Sequence, residues 1–240
     1  MLKIDLHIHT VFSGHAHSTI AEYVNRAKEL SMDIIGISDH GPTMYGATTN
    51  DYYFGGLKRV PQKIDGLLVL KGIEANVIGL DGELDLADRL LARLDYVMAG
   101  FHGEAYKDVG IEANTRAMVA AIRSGKVDVI THPFVTKEIA VDIKKVAEAA
   151  CEHKVLLEIN TSYLRSHRLT EDTLDNIEKM LAIVKRHGQK IIVNSDAHSI
   201  WELGDDAPLE KLRHKIKLDD EMIINNYPKE LLRLLKYDNE

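Results

Sequence analysis

Lys3-Ile4-Asp5-Leu6-His7-Ile8-His9-Thr10 reads as a buried β-strand, and the turn that leaves it runs on to His15. In an extended strand residues two apart point to the same side, so His7 and His9 project together while Leu6 and Ile8 face packing. Two imidazoles placed this way form either a metal clamp or a pair of core histidines at a strand end. The way the other strands end decides between these two readings.

Downstream, Thr19-Ile20-Ala21-Glu22 is a capping box, and Ile20, Val24, Ala27 and Leu30 follow it at helical spacing. The apolar run 33–38 suits a fully buried parallel strand and ends on Asp39-His40-Gly41-Pro42. Residues 41–66 form a long polar excursion with several aromatics, of the kind that often serves as a binding loop or lid. A third strand is expected over 67–69 and 72–77 with Glu74 near its end, then a tight turn at Asp81-Gly82 and a leucine-rich helix over 86–94. His102 closes a fourth strand (96–101) and His132 a fifth (127–131), with a helix between them that starts at about Asn114 and stops at Gly125. A helix over 142–153 leads to the sixth strand, 155–160, and a helix capped by Thr170 leads to the seventh, 190–194. That strand runs into Ser195-Asp196-Ala197-His198, and helices over 206–217 and 228–236 complete the chain.

Seven short β-branched runs alternating with helices predict a parallel sheet with right-handed crossovers. An open doubly wound sheet gathers its site at one switch point, whereas here nearly every strand ends on a polar group. A seven-stranded barrel fits better, because all its strand ends share one face. The whole of 1–240 reads as a single domain without linker or internal repeat.

Composition narrows the function. With 45% hydrophobic and 28% charged residues, no run of 18 apolar residues and no charged-then-apolar leader, a cytoplasmic protein without a membrane span is expected. A net charge of −7 and the lack of a polybasic run disfavour nucleic acid as partner. The single cysteine, Cys151, lies in an alanine-rich helical stretch and reads as a buried structural thiol. His153 and His187 fall near helix C-termini and His214 on a polar helix, so they stand outside the site.

The strand-end residues are His7, His9, His15, His40, Glu74, His102, His132, Asp196 and His198. Core packing would not put seven histidines and two carboxylates at successive strand ends. Imidazoles with a few carboxylates suit zinc, manganese or iron rather than calcium or magnesium alone.

Taken together, D-L-H-I-H-T, His15, S-D-H-G-P around His40, G-I-E-A-N at Glu74, G-F-H at His102, T-H-P at His132 and S-D-A-H at Asp196 resemble the PHP (polymerase and histidinol phosphatase) family. Within it the chain looks most similar to the stand-alone YcdX-type metal-dependent phosphatases, and no polymerase module accompanies it. The resemblance implies a distorted, TIM-barrel-like (β/α)7 barrel holding three divalent ions, Zn2+ with Mn2+ or Fe2+ as alternatives. It implies one ion on His7, His9, Glu74 and Asp196, a second on Glu74, His102 and His132, and a third on His15, His40 and His198. His17, close to His15, is either a substrate contact or an alternative ligand.

The implied chemistry is hydrolysis of a small phosphorylated metabolite by a hydroxide shared between two metals. Asp196 would orient that hydroxide, and the third ion or a nearby histidine such as His198 would serve the leaving oxygen. Arg165, on the loop after strand six, is the expected phosphate anchor, with Arg168 and His167 as weaker candidates. Glu158 and Asn160 read as supports for the ligands and Trp201 as wall or packing. The rival functions are a histidinol-phosphate phosphatase, a metal-dependent hydrolase of carbon–nitrogen bonds, and a non-catalytic metal-binding module. Enzymes of the second kind commonly bridge two metals with a modified lysine, and the sequence shows no lysine at a predicted strand end.

Overall fold

The computed structural model describes residues 1–135, 137 and 139–237. Its strands are β1 (Ile4–Ile8), β2 (Ile34–Ile37), β3 (Lys63–Ile64), β4 (Leu67–Lys71), β5 (Glu74–Asn76), β6 (Met98–Gly100), β7 (Val129–Ile130), β8 (Leu156–Asn160) and β9 (Ile192–Asn194). The helices are α1 (Ile20–Glu29), α2 (Asp51–Gly56), α3 (Asp88–Leu91), α4 (Ile111–Arg123), α5 (Ile143–His153), α6 (Glu171–Arg186), α7 (Ala207–Leu212) and α8 (Pro228–Leu234). The result is an α/β fold with two sheets, ordered β1-β2-β4-β3 and β5-β6-β7-β8-β9. Every pairing is parallel except the short β3–β4 hairpin.

The predicted third strand is broken. Its first half, β4, pairs with β2, and its second half, β5, pairs with β6, so the chain passes from one sheet to the other across Gly72-Ile73. Where the sheets part, the backbone still connects: Gly72 N–H donates to the Ile37 carbonyl (2.8 Å), and Gly41 N–H to that of Glu74 (2.9 Å). An isolated parallel bridge there sets His40 beside Glu74. The other junction, between β1 and β9, is made by side-chain amides. Asn225 Nδ2 donates to the carbonyls of Ile4 (2.9 Å) and Val193 (2.7 Å), and Asn194 Oδ1 accepts the Leu6 N–H (2.9 Å). These amides satisfy buried backbone groups where no ladder forms. The ladder resumes beyond them at the Ile8–Ala197 bridge.

Local signals explain the helices. Thr19 and Glu22 form the reciprocal capping box of α1, Asp142 accepts from the N–H groups of Lys144 and Lys145 at the start of α5, and Thr170 caps α6. Helices α4, α5 and α6 bury Met118, Val146 and Ile177 over the strands β6 to β9, while α1 buries Tyr23, Val24 and Ala27 against β1, β2 and β4. The leucine-rich helix is shorter than expected, because after Leu91 the chain tightens into i→i+3 turns (Arg93 to Leu90, Leu94 to Leu91) that aim it into β6. Helix α7 likewise ends at Leu212 rather than near 217. Lys71 closes β4, contrary to the expectation of no lysine at a strand end. Its ammonium lies 3.2 Å from Asp95 and 3.3 Å from the Val69 carbonyl, apart from the histidine cluster. No helix among the described residues is long and apolar enough to cross a membrane.

Asp128, just before β7, accepts the Val97 N–H (2.8 Å), and burial pushes its pKa up to about 6. A carboxyl whose folded pKa exceeds its unfolded one binds a proton more tightly when folded. Its contribution to stability is therefore present at pH 4 and lost as pH rises through 6. Asp128→Asn keeps an acceptor for Val97 without the charge, so it should stabilise the protein at pH 8 relative to wild type by about 1–3 kcal/mol, with little gain at pH 4. Urea unfolding at both pH values measures the difference, and an equal gain at each would refute the assignment.

Candidate metal centre

The strand ends deliver their side chains into one cavity of about 550 Å³, whose walls include His15, His40, Glu74, His102, His132, Asp196 and His198. Glu74 lies at its centre. Its Oε2 is 3.2 Å from His7 Nε2, 3.4 Å from His9 Nε2 and 2.9 Å from His40 Nδ1; its Oε1 is 3.1 Å from His132 Nε2 and 3.4 Å from His102 Nε2. Asp196 Oδ1 is 3.2 Å from His9 Nε2 and 3.5 Å from both His7 Nε2 and His198 Nδ1. Among the described residues, three sets of ligand atoms each lie within 4.8 Å of one another: His7 with His9 and Asp196, His40 with Glu74 and His102, and His9 with His40 and His198.

Partners on the far side of each ring set the tautomer. His7 Nδ1–H donates to Glu158 Oε1 (2.7 Å) and His102 Nδ1–H to Asn76 Oδ1 (2.7 Å). His198 Nδ1–H donates to the Asp196 carbonyl (3.0 Å). Ser13 gives its hydroxyl proton to Asp39 (2.7 Å), so its Oγ accepts from His9 Nδ1–H (3.1 Å) and from the His40 N–H (3.1 Å). With Nδ1 protonated, each of these rings keeps its lone pair on Nε2, as a ligand must. His7 Nε2, His9 Nε2 and His40 Nδ1 are buried without a hydrogen bond. Orphaned imidazole nitrogens facing carboxylates fit divalent-metal ligands well.

Electrostatics agree with this. Burial raises the Glu74 carboxyl, but His7, His102 and His40 outweigh it and hold the group well below the usual carboxylate range. Asp196 is held down in the same way by His7, His9 and His198. Burial lowers His7, yet Glu158, Glu74 and Asp196 raise it well above its ordinary value. Burial, then His40 and His198, push His9 well down. The carboxylates thus attract positive charge, and part of the histidine set stays neutral and able to ligate. Two of the residues, His132 (φ 31) and Asp196 (φ 57), sit in the left-handed region. For residues with a Cβ this conformation costs about 1–2 kcal/mol, which the packed strand ends sustain.

The predicted residues do not all converge. His15 is exposed at the rim, its ring 4.7 Å from that of His198 and 5.1 Å from that of His40. His17 also lines the cavity, and its N–H donates to the His198 carbonyl (2.7 Å). Arg165, the expected phosphate anchor, instead turns to Glu202 (3.4 Å) and Asp205 (3.5 Å). Arg168 takes the place on the wall, stacked over Tyr163 and bonded to Ser162 Oγ (2.8 Å). The sequence reading missed Ser13, Asp39 and Asn76. Asp39 and Asn76 stand inside the quoted S-D-H-G-P and G-I-E-A-N segments, so their nearness to ligands was the available signal.

A family model described as the PHP domain matches residues 5–162. The chain belongs to the PHP domain family. A curated relative named probable phosphatase, from Citrobacter koseri, is 38% identical over 98% of this PHP chain and 95% of its own length. The fold is similar to that of histidinol phosphate phosphatase from Lactococcus lactis, solved with zinc, L-histidinol and phosphate (TM-score 0.60, 18% identity, 89% of this chain and 92% of that one). It is also similar to a chain of an archaeal ribonuclease P with mature tRNA (TM-score 0.61, 15% identity, 98% and 94%). At such identities these two likenesses describe the fold.

Proposed function

We propose that this PHP protein hydrolyses the phosphate ester of a small metabolite at a site for three divalent cations, zinc foremost, with manganese or iron as alternatives. It is a metal-dependent phosphoric ester hydrolase. The observation that carries the reading is Glu74, whose Oε2 faces His7, His9 and His40 while its Oε1 faces His102 and His132. A carboxylate so placed suits a bridge between two ions. His7, His9, Glu74 Oε2 and Asp196 Oδ1 would hold one, and Glu74 Oε1, His102 and His132 the second. His40 and His198, with His15 at the rim, would hold the third. The same reading takes 1–240 as one domain and its strands as a distorted (β/α)7 barrel, with the two sheet junctions as the distortion.

Bound divalent cations supply an activated water at neutral pH and offset charge on phosphoryl oxygens. The remaining work falls to the chain's own side chains. Asp196 Oδ2 accepts from Asn160 Nδ2 (3.1 Å), which fixes the carboxylate so that Oδ1 faces the cavity. Arg168 presents its planar fork to the non-bridging phosphate oxygens. His198, on the wall and partly exposed, is held in the ligating tautomer by the Asp196 carbonyl, and it would help to hold a cation that offsets the charge on the leaving oxygen.

Aryl phosphate hydrolysis by the purified protein tests the reading. Activity should vanish on chelation and return with zinc or manganese; hydrolysis untouched by chelation would refute it. Replacing the wall cation, Arg168→Ala, should raise KM about tenfold, the equivalent of one charge-assisted hydrogen bond. Arg165→Ala should change KM by less than about twofold, since its partners are Glu202 and Asp205. The opposite order would return the anchor to Arg165.

One observation favours the narrower reading of a histidinol-phosphate phosphatase. Glu104, exposed on the cavity wall, has no hydrogen bond or ion pair among the described residues and could receive a substrate ammonium group. A screen of phosphate esters that includes histidinol phosphate decides it.

A further inference from the structure

Asp85 lies outside every motif singled out above, yet its half-buried carboxylate accepts four hydrogen bonds from two segments that build the cavity. Oδ2 accepts from Thr43 N–H (3.0 Å), Thr43 Oγ1 (2.8 Å) and Asn76 Nδ2 (2.6 Å), and Oδ1 accepts from Asn76 N–H (2.9 Å). Its own N–H donates to the Asn76 carbonyl (3.2 Å). Thr43 is on the loop that leaves His40, next to Met44 on the cavity wall. Asn76, fully buried at the end of β5, is the residue whose Oδ1 accepts from His102 Nδ1–H.

The chemistry of the amide makes this a chain with a direction. A carboxylate only accepts, so the end of Asn76 that meets Asp85 must be Nδ2, and the end that meets His102 must be Oδ1. Oδ1 in turn can be met only by a protonated Nδ1, which leaves the lone pair of His102 on Nε2, the atom 3.4 Å from Glu74. Asp85 therefore acts on His102 through the orientation of Asn76, and it holds the loop through Thr43 with the same oxygen.

We propose that Asp85 is a positioning residue that couples the 41–47 loop to the ligating tautomer of His102 through Asn76. The proposal rests on the metal-site reading above. It makes order in the loop and metal affinity at His102 interdependent, because Thr43 and Asn76 share one acceptor atom. A loop that pulls away from the cavity loosens the amide that fixes the ring.

Three variants test this, with zinc titrated calorimetrically into the chelated, dialysed protein. In Asp85→Asn the new amide cannot accept all four bonds, so Asn76 can turn and offer Nδ2–H to His102, which drives the ring proton to Nε2. The affinity of one zinc equivalent should fall about 10- to 100-fold, the range typical for partners behind a ligand. Nitrogen NMR of the His102 ring should show loss of the Nδ1–H tautomer. Thr43→Val, on an exposed loop, removes one bond to Asp85 and touches neither Asn76 nor His102. It should weaken the same equivalent about threefold and raise KM for an aryl phosphate, while Thr43→Ser should restore both.

Wild-type zinc affinity in Thr43→Val overturns the coupling. So does an Asp85→Asn protein that has a lower unfolding temperature but binds zinc like wild type, since a purely structural role predicts that pattern. If the unmutated protein takes up neither zinc nor manganese nor iron, the metal-site reading fails as well, so the two failures are told apart.

Discussion

Glu74→Gln should abolish metal-dependent turnover, with a loss of at least about 10³-fold, and should cost the protein two metal equivalents rather than one. The two oxygens of Glu74 face different sets of imidazoles, Oε2 those of His7, His9 and His40, and Oε1 those of His102 and His132. An amide keeps a single acceptor and turns two N–H donors toward rings whose Nε2 lone pairs it would then occupy. Stabilisation by bound cations amounts to several kcal/mol in a phosphoryl transition state, and about 4 kcal/mol corresponds to the 10³-fold loss. The fold itself should survive. Without cations the wild-type carboxylate is a buried charge held among histidines, whereas the amide can hydrogen-bond the same rings without a desolvated charge. Metal analysis after dialysis, kcat with aryl phosphate and circular dichroism together check the result. A variant that retained full metal content and lost less than tenfold in kcat would remove Glu74 from the bridge.

The strand-end histidines were legible because two simple constraints fix them. Alternation puts His7 and His9 on one side of β1, and short apolar runs mark where β2, β6 and β7 stop, so His40, His102 and His132 fall at their ends. How they combine was not legible from spacing, and only the family resemblance implied it. Glu74 meets both His40 and His102 only because β5 pairs with β6 while its first residue bridges to His40, a junction that depends on breaking the third strand at Gly72-Ile73. The direction Arg165 takes was not legible for a similar reason. Arg165 and Arg168 stand three residues apart, and what turns Arg165 aside is its pairing with Glu202 and Asp205, 37 and 40 residues further along the chain. Composition and spacing carry no information about such a pairing. Asn76, the partner that sets the tautomer of His102, also acts across strands, whereas Ser13 stands only four residues from His9 on the turn that leaves β1.

Tyr96 shows how the fold holds those strands in place, and it yields the second large effect. The sequence reads Tyr96 as the first residue of a strand, but its ring is packed across Gly36 of β2 and Gly72 between β4 and β5, and its hydroxyl donates to the Leu6 carbonyl of β1 (2.6 Å). One side chain thus ties β1, β2 and the link from β4 to β5 together at the junction that sets Glu74. A Cβ added at Gly36 would lie 2.3 Å from the Tyr96 hydroxyl, and one at Gly72 would lie 2.4 to 2.7 Å from three ring carbons. Each alanine should destabilise the protein by about 3 kcal/mol, at the upper end for overpacking of a rigid core. For a chain of this size that lowers Tm by about 6–12 °C. Tyr96→Phe alone should cost about 1–2 kcal/mol, because the Leu6 carbonyl loses its side-chain donor. The double variants separate packing from hydrogen bonding. Deleting the hydroxyl removes the nearest clash in Gly36→Ala but none of the ring contacts in Gly72→Ala. Gly36→Ala with Tyr96→Phe should therefore cost at least about 1 kcal/mol less than the sum of its parts, whereas Gly72→Ala with Tyr96→Phe should be additive. Equal coupling in the two pairs, measured by urea unfolding, would mean that Tyr96 adjusts as a whole and does not pin the strands as a fixed wedge.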